Sequence, residues 1–331
     1  MSIRIGINGF GRIGKNFARL LIEEPDIELV AFNARKSPGD YAYAFKYDSV
    51  HGVWPGEVEA EDDGIIIDGK KIRMTSDEKG EWQWGDLGVD IVVESTGIFL
   101  DRESCEMHLK QGAEKVIISA PGKDPDITVV YNVNHDQYDP DNHHIISAAS
   151  CTTNCLAPVA KPLQEELGIE KGYMTTVHAY TMGQALLDSA NPKDPRRGRA
   201  AAANLVPSTT GAAKAVGLVL PQMKGRMDGM AVRSPNLDGS IVDLTAVVGK
   251  NTSAQEVNDI FRRHENETLG YTDEYIVSSD IIGDSHGALV DGQSTGVVDG
   301  NLIKVLAWYD NEQGFNHQML RLIKQVGSSL A

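Results

Sequence analysis

The chain has 331 residues, long enough for about two domains with real apolar cores, which excludes a short peptide module. Its 41% hydrophobic and 24% charged residues exclude wholesale disorder. The 47 acidic and 31 basic side chains leave a net charge of −16, which repels phosphate backbones and anionic lipid, argues against nucleic-acid binding, and makes any arginine cluster conspicuous.

No apolar run approaches the ~18 residues that cross a bilayer, and Ser2 to Gly14 carries neither a basic lead nor a long apolar block. A cytoplasmic location without a membrane anchor is the expectation. Cys105, Cys151 and Cys155 are too few and wrongly spaced for a disulfide framework, which fits a reducing compartment.

Ile3 to Asn8 is a short apolar run that predicts a strand; Gly9-Phe10-Gly11-Arg12-Ile13-Gly14 follows, then a helical stripe of Phe17, Leu20 and Leu21 that ends by Asp26. Ile27 to Phe32 is a second strand, so the chain opens with a βαβ unit. Asp63 to Arg73 predicts a hairpin turning at Asp68-Gly69, and buried strands are expected at Asp90 to Glu94, Lys115 to Ser119 and His144 to Ala148. From Cys151 the apolar residues Leu156, Val159, Ala160, Leu163 and Leu167 mark a helix stopped by Gly168. The texture then changes. Tyr173 to Tyr180, Gly229 to Arg233, Ser240 to Val248 and Asn301 to Tyr309 alternate as strands of an antiparallel sheet with one covered face, and Phe315 to Val326 is again helical. The expected organisation is an α/β domain over 1–150, an α+β domain with a mostly antiparallel sheet over 151–314, and a last helix, 315–331, packing back on the first domain.

Gly9, Gly11 and Gly14 sit between a predicted strand and helix, where they allow a tight turn, close approach of backbone to a pyrophosphate, and close helix packing. This predicts dinucleotide binding. A carboxylate at the end of the second strand would hold the free ribose hydroxyls of NAD, but the chain reads Asn33-Ala34-Arg35-Lys36-Ser37. Two cations and a hydroxyl in place of an acid suit a 2′-phosphate, so NADP is expected as the preferred cofactor, with NAD the alternative.

Cys151 opens the predicted helix, where the macrodipole favours a thiolate and hence a nucleophile. Alternation over Tyr173 to Tyr180 puts Met174, Thr176, His178 and Tyr180 on one face; an isolated strand histidine is more often structural, so His178 is a candidate base only through the preceding nucleophile and the family resemblance given below. His143-His144 point to opposite faces and lack further ligands, so no metal is expected. Arg196, Arg197 and Arg199, the run Ser208-Thr209-Thr210-Gly211, and Arg233 near a strand end offer guanidinium, hydroxyl and backbone donors for phosphate.

The stretches INGFGRIG, KYDSVHG, SAASCTTNCLAPV, STTGAAKAV and WYDNE, in that order across essentially the whole chain, resemble the phosphorylating glyceraldehyde-3-phosphate dehydrogenases of bacterial and eukaryotic type. The resemblance implies a homotetramer with a Rossmann-type domain and a catalytic domain. It implies reversible conversion of glyceraldehyde 3-phosphate and inorganic phosphate to 1,3-bisphosphoglycerate, with hydride transfer to NAD(P) and Cys151 and His178 as catalytic pair. It carries one anion position onto Thr181 and Arg233 and the other onto Ser150, Thr152, Arg196, Thr210 and Gly211. Asn311 corresponds to the partner of the nicotinamide carboxamide, and Arg12, Ile13, Thr96, Gly97 and Ser119 to further cofactor contacts.

The chain departs from the family pattern at Thr75 to Gly80, which holds no counterpart of an Arg common near the adenine, at Gly183, which replaces a polar residue, and at two places that bear on the cofactor: Ala34 stands where NAD-type members carry Asp, and Ser189-Ala190 where they carry Leu-Pro on a loop reaching a neighbouring subunit's adenosine. The last two departures make room for a 2′-phosphate. The alternatives weighed against this reading are an erythrose-4-phosphate dehydrogenase and a non-catalytic, nucleotide-responsive or RNA-binding protein on the same scaffold.

Overall fold

A computed structural model describes residues 2–330. They fall into two compact units, the first made of the chain up to Val129, His135–Ala149 and the stretch from Met319 on, the second of Val130–Asn134 and Ser150–Gln318.

The first unit begins β1 (Ile3–Asn8), α1 (Arg12–Glu23), β2 (Ile27–Asn33) and α2 (Pro38–Lys46), followed by the two-residue pair β3 (Tyr47–Asp48) and β4 (Gly52–Val53). Next come β5 (Val58–Glu61), β6 (Gly64–Ile67), β7 (Lys70–Thr75), β8 (Ile91–Glu94), α3 (Arg102–Lys110), β9 (Lys115–Ile118), β10 (Ile127–Thr128) and β11 (Ile145–Ser147). Nine of these strands form one sheet in the order β10-β11-β9-β8-β1-β2-β7-β6-β5, parallel from β10 to β7. β6 and β5 extend it as an antiparallel edge. The β6–β7 turn falls at Asp68-Gly69, both at positive φ, as a tight two-residue hairpin demands. β1, β8 and β9 are almost wholly buried because helices cover a parallel sheet on both faces.

The carboxyl ends of the central strands are laced by buried polar groups. The Glu94 carboxylate accepts from Asn8 Nδ2 at 2.6 Å and from Thr96 N at 2.8 Å, and His108 Nε2 lies 3.2 Å from it. Trp84 Nε1 donates to His108 Nδ1 at 2.9 Å, which puts that ring's proton on Nε2, facing Glu94. Asn33 donates to Asn8 Oδ1 and Asp77 O while its own Oδ1 accepts from Thr75 Oγ1 and Asp77 N. Four neighbouring strand ends are thereby tied together where the ligand crevice of an open α/β sheet lies.

The second unit opens with α4 (Cys151–Glu166) and β12 (Ile169–Ala179), then β13 (Val206–Thr209), α5 (Ala212–Val219), β14 (Met227–Ser234), β15 (Ser240–Val248), α6 (Ala254–Arg263), β16 (Leu269–Thr272), β17 (Ala288–Val298) and β18 (Leu302–Tyr309). The final helix, α7 (Gln313–Ser328), runs from this unit into the first, where Gly327 packs against Ile3. The seven-stranded sheet has the order β13-β14-β12-β15-β18-β17-β16. It is antiparallel except for the β12–β14 and β16–β17 pairs, two parallel pairings that alternation alone does not show. β15 alternates buried and half-buried residues along its whole length, the signature of one covered face, and α4 and α6 pack on this sheet. Cys155, inside α4, is fully buried and donates to Ala307 O of β18.

Candidate active site

Ser147, Ala148 and Ala149 lead from β11 to α4, and Ala149 is turned to φ +59, a left-handed conformation rare for a residue with a Cβ. Ser150 then caps the helix, its Oγ accepting from Thr153 N at 3.0 Å. Cys151 is thus the first helical residue, held by a turn behind it and a cap beneath it. Its Sγ lies 3.4 Å from His178 Nε2.

His178 arrives near the end of β12, on the buried face with Met174 and Thr176 as the alternation predicts. Its Nδ1 has two neighbours of opposite kind, Ala179 O at 2.7 Å, which can only accept, and the Arg233 guanidinium, which can only donate; the tautomer protonated at Nδ1 satisfies the carbonyl and turns the Nε2 lone pair toward the sulfur. The parallel register of β12 and β14 pairs His178 with Arg233, whose Nη1 lies 2.8 Å from Nδ1 and donates to the same carbonyl at 3.2 Å. Burial first, and the Arg233 charge second, push the imidazole down to about 3, so it is neutral at physiological pH.

The sequence leads one to expect a thiol lowered by the helix terminus. Burial of the sulfur instead pushes the Cys151 thiol up, with the Arg233 charge and hydrogen bonds from Thr152 opposing it. Both directions favour the uncharged forms, a thiol beside a neutral imidazole. Cys155 is driven far higher by burial and Cys105 is pushed up to about 12, and both are fully buried, so neither competes with Cys151 as a candidate nucleophile.

Tyr309, which lies within the WYDNE stretch but is given no role by the sequence, closes the floor of this centre. Its hydroxyl is 3.0 Å from Thr152 Oγ1 and 2.8 Å from Thr176 Oγ1, and its ring meets the His178 ring edge-on at 5.9 Å. Next to it, Ser240 Oγ accepts from Ala179 N and donates to Asn311 Oδ1 at 2.5 Å. The Asn311 amide is thereby fixed by its oxygen.

Thr210 and Gly211 stand at the N-terminus of α5, where Gly211 has open space in front of its Cα and Thr210 Oγ1 accepts from Ala212 N. Thr181 is exposed, and Thr152 is buried against Tyr309. Of the adjacent arginines, Arg196 is exposed, whereas Arg197 is half-buried, ion-paired to Asp194 at 3.2 Å, and close enough for its charge to act on Arg233. The pattern Arg196-Arg197 carries no signal for which of two neighbours turns inward; only the short 3-10 turn Pro195–Gly198 decides it.

In the first unit the three glycines of the turn meet three different surroundings. Gly9 has φ +96, and a Cβ there would come within 2.7 Å of Thr96 N. At Gly14 a Cβ would sit 2.2 Å from Gly9 O, while Gly11 has nothing within 4 Å. Gly9 and Gly14 are fixed by packing, and Gly11 keeps a space free above the first turn of α1. That turn has no side-chain cap and no acid, so its N–H groups face outward to an anion. This is the cradle a dinucleotide pyrophosphate requires, and the residues fit it. Ile13 lies in the same turn, and Arg12 pairs with Asp48 at 2.5 Å beside Lys15 at 2.6 Å, which holds the Asp48 carboxyl far below its usual range. Thr96 and Gly97 follow β8, and Ser119 is tied to Glu94 O through both N and Oγ.

Around the expected 2′-phosphate position, Ala34 is buried and its N–H donates to Thr75 O. Asn33 has its side chain engaged in the strand-end lacing. Arg35 makes a two-pronged pair with Glu78 at 2.5 and 2.9 Å, and Ser37 caps α2 through Asp40. Ser189 is exposed on the 180–200 loop, its N–H donating to Gly198 O.

Residues 3–102 match the family model for the NAD binding domain of glyceraldehyde 3-phosphate dehydrogenase, and residues 150–311 match that for its C-terminal domain. The chain is 50% identical to a glyceraldehyde-3-phosphate dehydrogenase of Streptomyces coelicolor over the full length of both. It is 49% identical to one of Geobacillus stearothermophilus over 99% of each, and 46% identical to glyceraldehyde-3-phosphate dehydrogenase 1 of Bacillus subtilis over 98% of each.

Proposed function

The chain belongs to the glyceraldehyde-3-phosphate dehydrogenase family, and we propose that it catalyses the reversible oxidation and phosphorylation of glyceraldehyde 3-phosphate to 1,3-bisphosphoglycerate, with NADP as preferred cofactor. It is an NAD(P)-dependent oxidoreductase. The observation that carries the reading is the 3.4 Å approach of Cys151 Sγ to a neutral His178 Nε2, with Arg233 in register beside the imidazole.

Sγ adds to the aldehyde carbon as Nε2 takes the thiol proton and passes it to the carbonyl oxygen, which gives a hemithioacetal on Cys151. Oxidation then removes a hydride from that carbon and the hydroxyl proton, which His178 takes. The bound nicotinamide supplies the hydride acceptor. The resulting thioester is attacked by an oxygen of inorganic phosphate. Cys151 N–H, which has no intrahelical acceptor at the first position of α4, and the protonated imidazole stabilise the tetrahedral oxyanion. The C–S bond breaks, the acyl phosphate leaves, and the sulfur recovers its proton from His178. Arg233, Arg197, Thr181, Thr210 and Gly211 are the donors we assign to the two phosphates, Arg197 in place of the expected Arg196, which is exposed, while the expected Ser150 and Thr152 hydroxyls are engaged in the helix cap and on Tyr309; Asn311 we assign to the carboxamide of the nicotinamide.

The NADP preference is supported by Ala34 in place of a carboxylate, by the Arg35 guanidinium next to it, and by the small, polar Ser189. Assembly with further copies, a homotetramer in the family resemblance, is supported by the exposed apolar side chains Met182, Leu186, Leu187 and Leu205, which call for cover by another copy. Among the described residues no helix is long and apolar enough to cross a membrane.

Reduction of NADP⁺ by the purified chain, followed with each aldehyde and with phosphate present or omitted, tests the reaction. Phosphate-dependent turnover of glyceraldehyde 3-phosphate is expected; faster, phosphate-independent turnover of erythrose 4-phosphate overturns the assignment. For the cofactor, kcat/KM is expected to be higher with NADP⁺ than with NAD⁺ and to reverse in Ala34→Asp. A wild-type preference for NAD⁺ refutes that part.

A further inference from the structure

Arg35, the guanidinium that the cofactor reading assigns to a 2′-phosphate, already has a carboxylate in its fork. Both arms of Glu78 are used, at 2.5 and 2.9 Å from the two terminal nitrogens. The encounter is set up by the backbone. The loop after β7 is stitched to the end of β2 by Ala34 N to Thr75 O, Ser76 Oγ to Ala34 O, Asp77 N to Asn33 Oδ1 and Asn33 Nδ2 to Asp77 O. Glu78 is the next residue along, so the sheet presents its carboxylate to Arg35. A carboxylate in that fork occupies the planar, two-pronged geometry with which a guanidinium grips phosphate.

We propose that Glu78 is a specificity-determining residue that competes with the cofactor's 2′-phosphate for Arg35 and so restrains the preference for NADP over NAD. The proposal rests on the NADP reading above. To engage Arg35, a 2′-phosphate must displace Glu78 and then sit near its freed negative charge. The neutral 2′-hydroxyl of NAD neither recruits Arg35 nor is repelled by Glu78. The penalty therefore falls on one cofactor alone, and it keeps the second in use. Asp40 makes no such claim on Arg35, because its carboxylate is taken by Ser37 N and Oγ in the cap of α2.

The test is a double-mutant cycle read by equilibrium binding. Dissociation constants for NADP⁺ and NAD⁺ are measured by fluorescence titration at one fixed ionic strength for wild type, Glu78→Gln, Arg35→Gln and the double variant, with Glu78→Ala as a second removal of the charge. Glu78→Gln is expected to raise the NADP⁺ to NAD⁺ affinity ratio about two- to fivefold, the size of an exposed ion pair released. Arg35→Gln is expected to weaken NADP⁺, and adding Glu78→Gln to it to give a smaller gain than Glu78→Gln gives in wild type. An unchanged or lowered ratio in both Glu78 variants, while Arg35→Gln still weakens NADP⁺, overturns the proposal and leaves the NADP reading standing. An equal gain in the Arg35→Gln background also overturns it, since Glu78 then acts only as a distant charge. If Arg35→Gln leaves NADP⁺ binding untouched, the assignment of Arg35 to the phosphate fails, and this proposal with it.

Discussion

The glycine turn of the first unit and the thiol–imidazole centre of the second are built by opposite means. The turn is made of backbone and vacancy: Gly9 and Gly14 pack so tightly that no side chain fits, Gly11 faces open space, and α1 begins without a cap. The centre is made of side chains held by other side chains. Cys151 depends on the Ser150 cap, His178 on the Ala179 carbonyl, and Thr152 and Thr176 on the Tyr309 hydroxyl. A site of the first kind tolerates change everywhere except at the atoms that must be missing. One of the second kind transmits change from each member to the next.

The largest effect expected from breaking the centre is at its nucleophile. Cys151→Ser should lower kcat by about 10⁴-fold or more, with cofactor affinity retained, because the first unit's cradle is untouched. Turnover within tenfold of wild type would show that the sulfur is not the group that attacks. His178→Asn should cost about 10²- to 10⁴-fold in kcat.

In the turn, Gly11→Ala and Gly9→Ala should separate ligand space from packing space. The first fills the vacancy and should weaken NADP⁺ binding by about tenfold or more while thermal stability stays near wild type. The second forces a Cβ into backbone at positive φ and should destabilise the fold by about 2 kcal/mol. Equal losses of stability in both variants would mean that Gly11 is no ligand gap.

Arg233 couples the two titrating groups of the centre. Its positive charge lowers both the Cys151 thiol and the His178 imidazole, so Arg233→Gln should raise both. A higher thiol pKa means less thiolate at a given alkaline pH. Alkylation of the free enzyme by uncharged iodoacetamide at pH 8 should therefore slow about three- to tenfold, and the alkaline rise of its rate should move to higher pH. A faster reaction would reverse the assigned role of the guanidinium. The smallest effect belongs to Tyr309→Phe, which leaves two buried threonine hydroxyls short of a partner and should lower stability by about 1 kcal/mol in a denaturant titration.

Much of this was legible before any coordinates. β1, the glycine turn, α1 and β2 follow from a short apolar run, three glycines and a helical stripe, and the Asp68-Gly69 turn from its residue types. Cys151 is marked as a candidate by its helix start, whereas His178 stands out only through the nucleophile before it and the family resemblance. Other features were silent. α2 begins at Ser37 and α3 at Asp101, each with a capping side chain, yet their apolar stripes are too short to stand out. Tyr309 looked like one more strand residue. Arg197 could not be told from Arg196, nor could Glu78 be matched to Arg35, 43 residues earlier.

The sequence alone determined what local chemistry can state: which segments alternate, where a helix can start, where only glycine fits, and which nucleophile stands at a helix head. Tertiary structure alone decided what depends on two segments meeting. The parallel register of β12 and β14 put Arg233 beside His178, the stitching of β2 to β7 gave Arg35 a carboxylate partner in Glu78, and burial pushes the Cys151 thiol up where the helix terminus alone would lower it. The physical reason is one of range: propensity, capping and turn geometry act over a few residues, whereas charge pairing and desolvation are set by neighbours that only the folded sheet supplies.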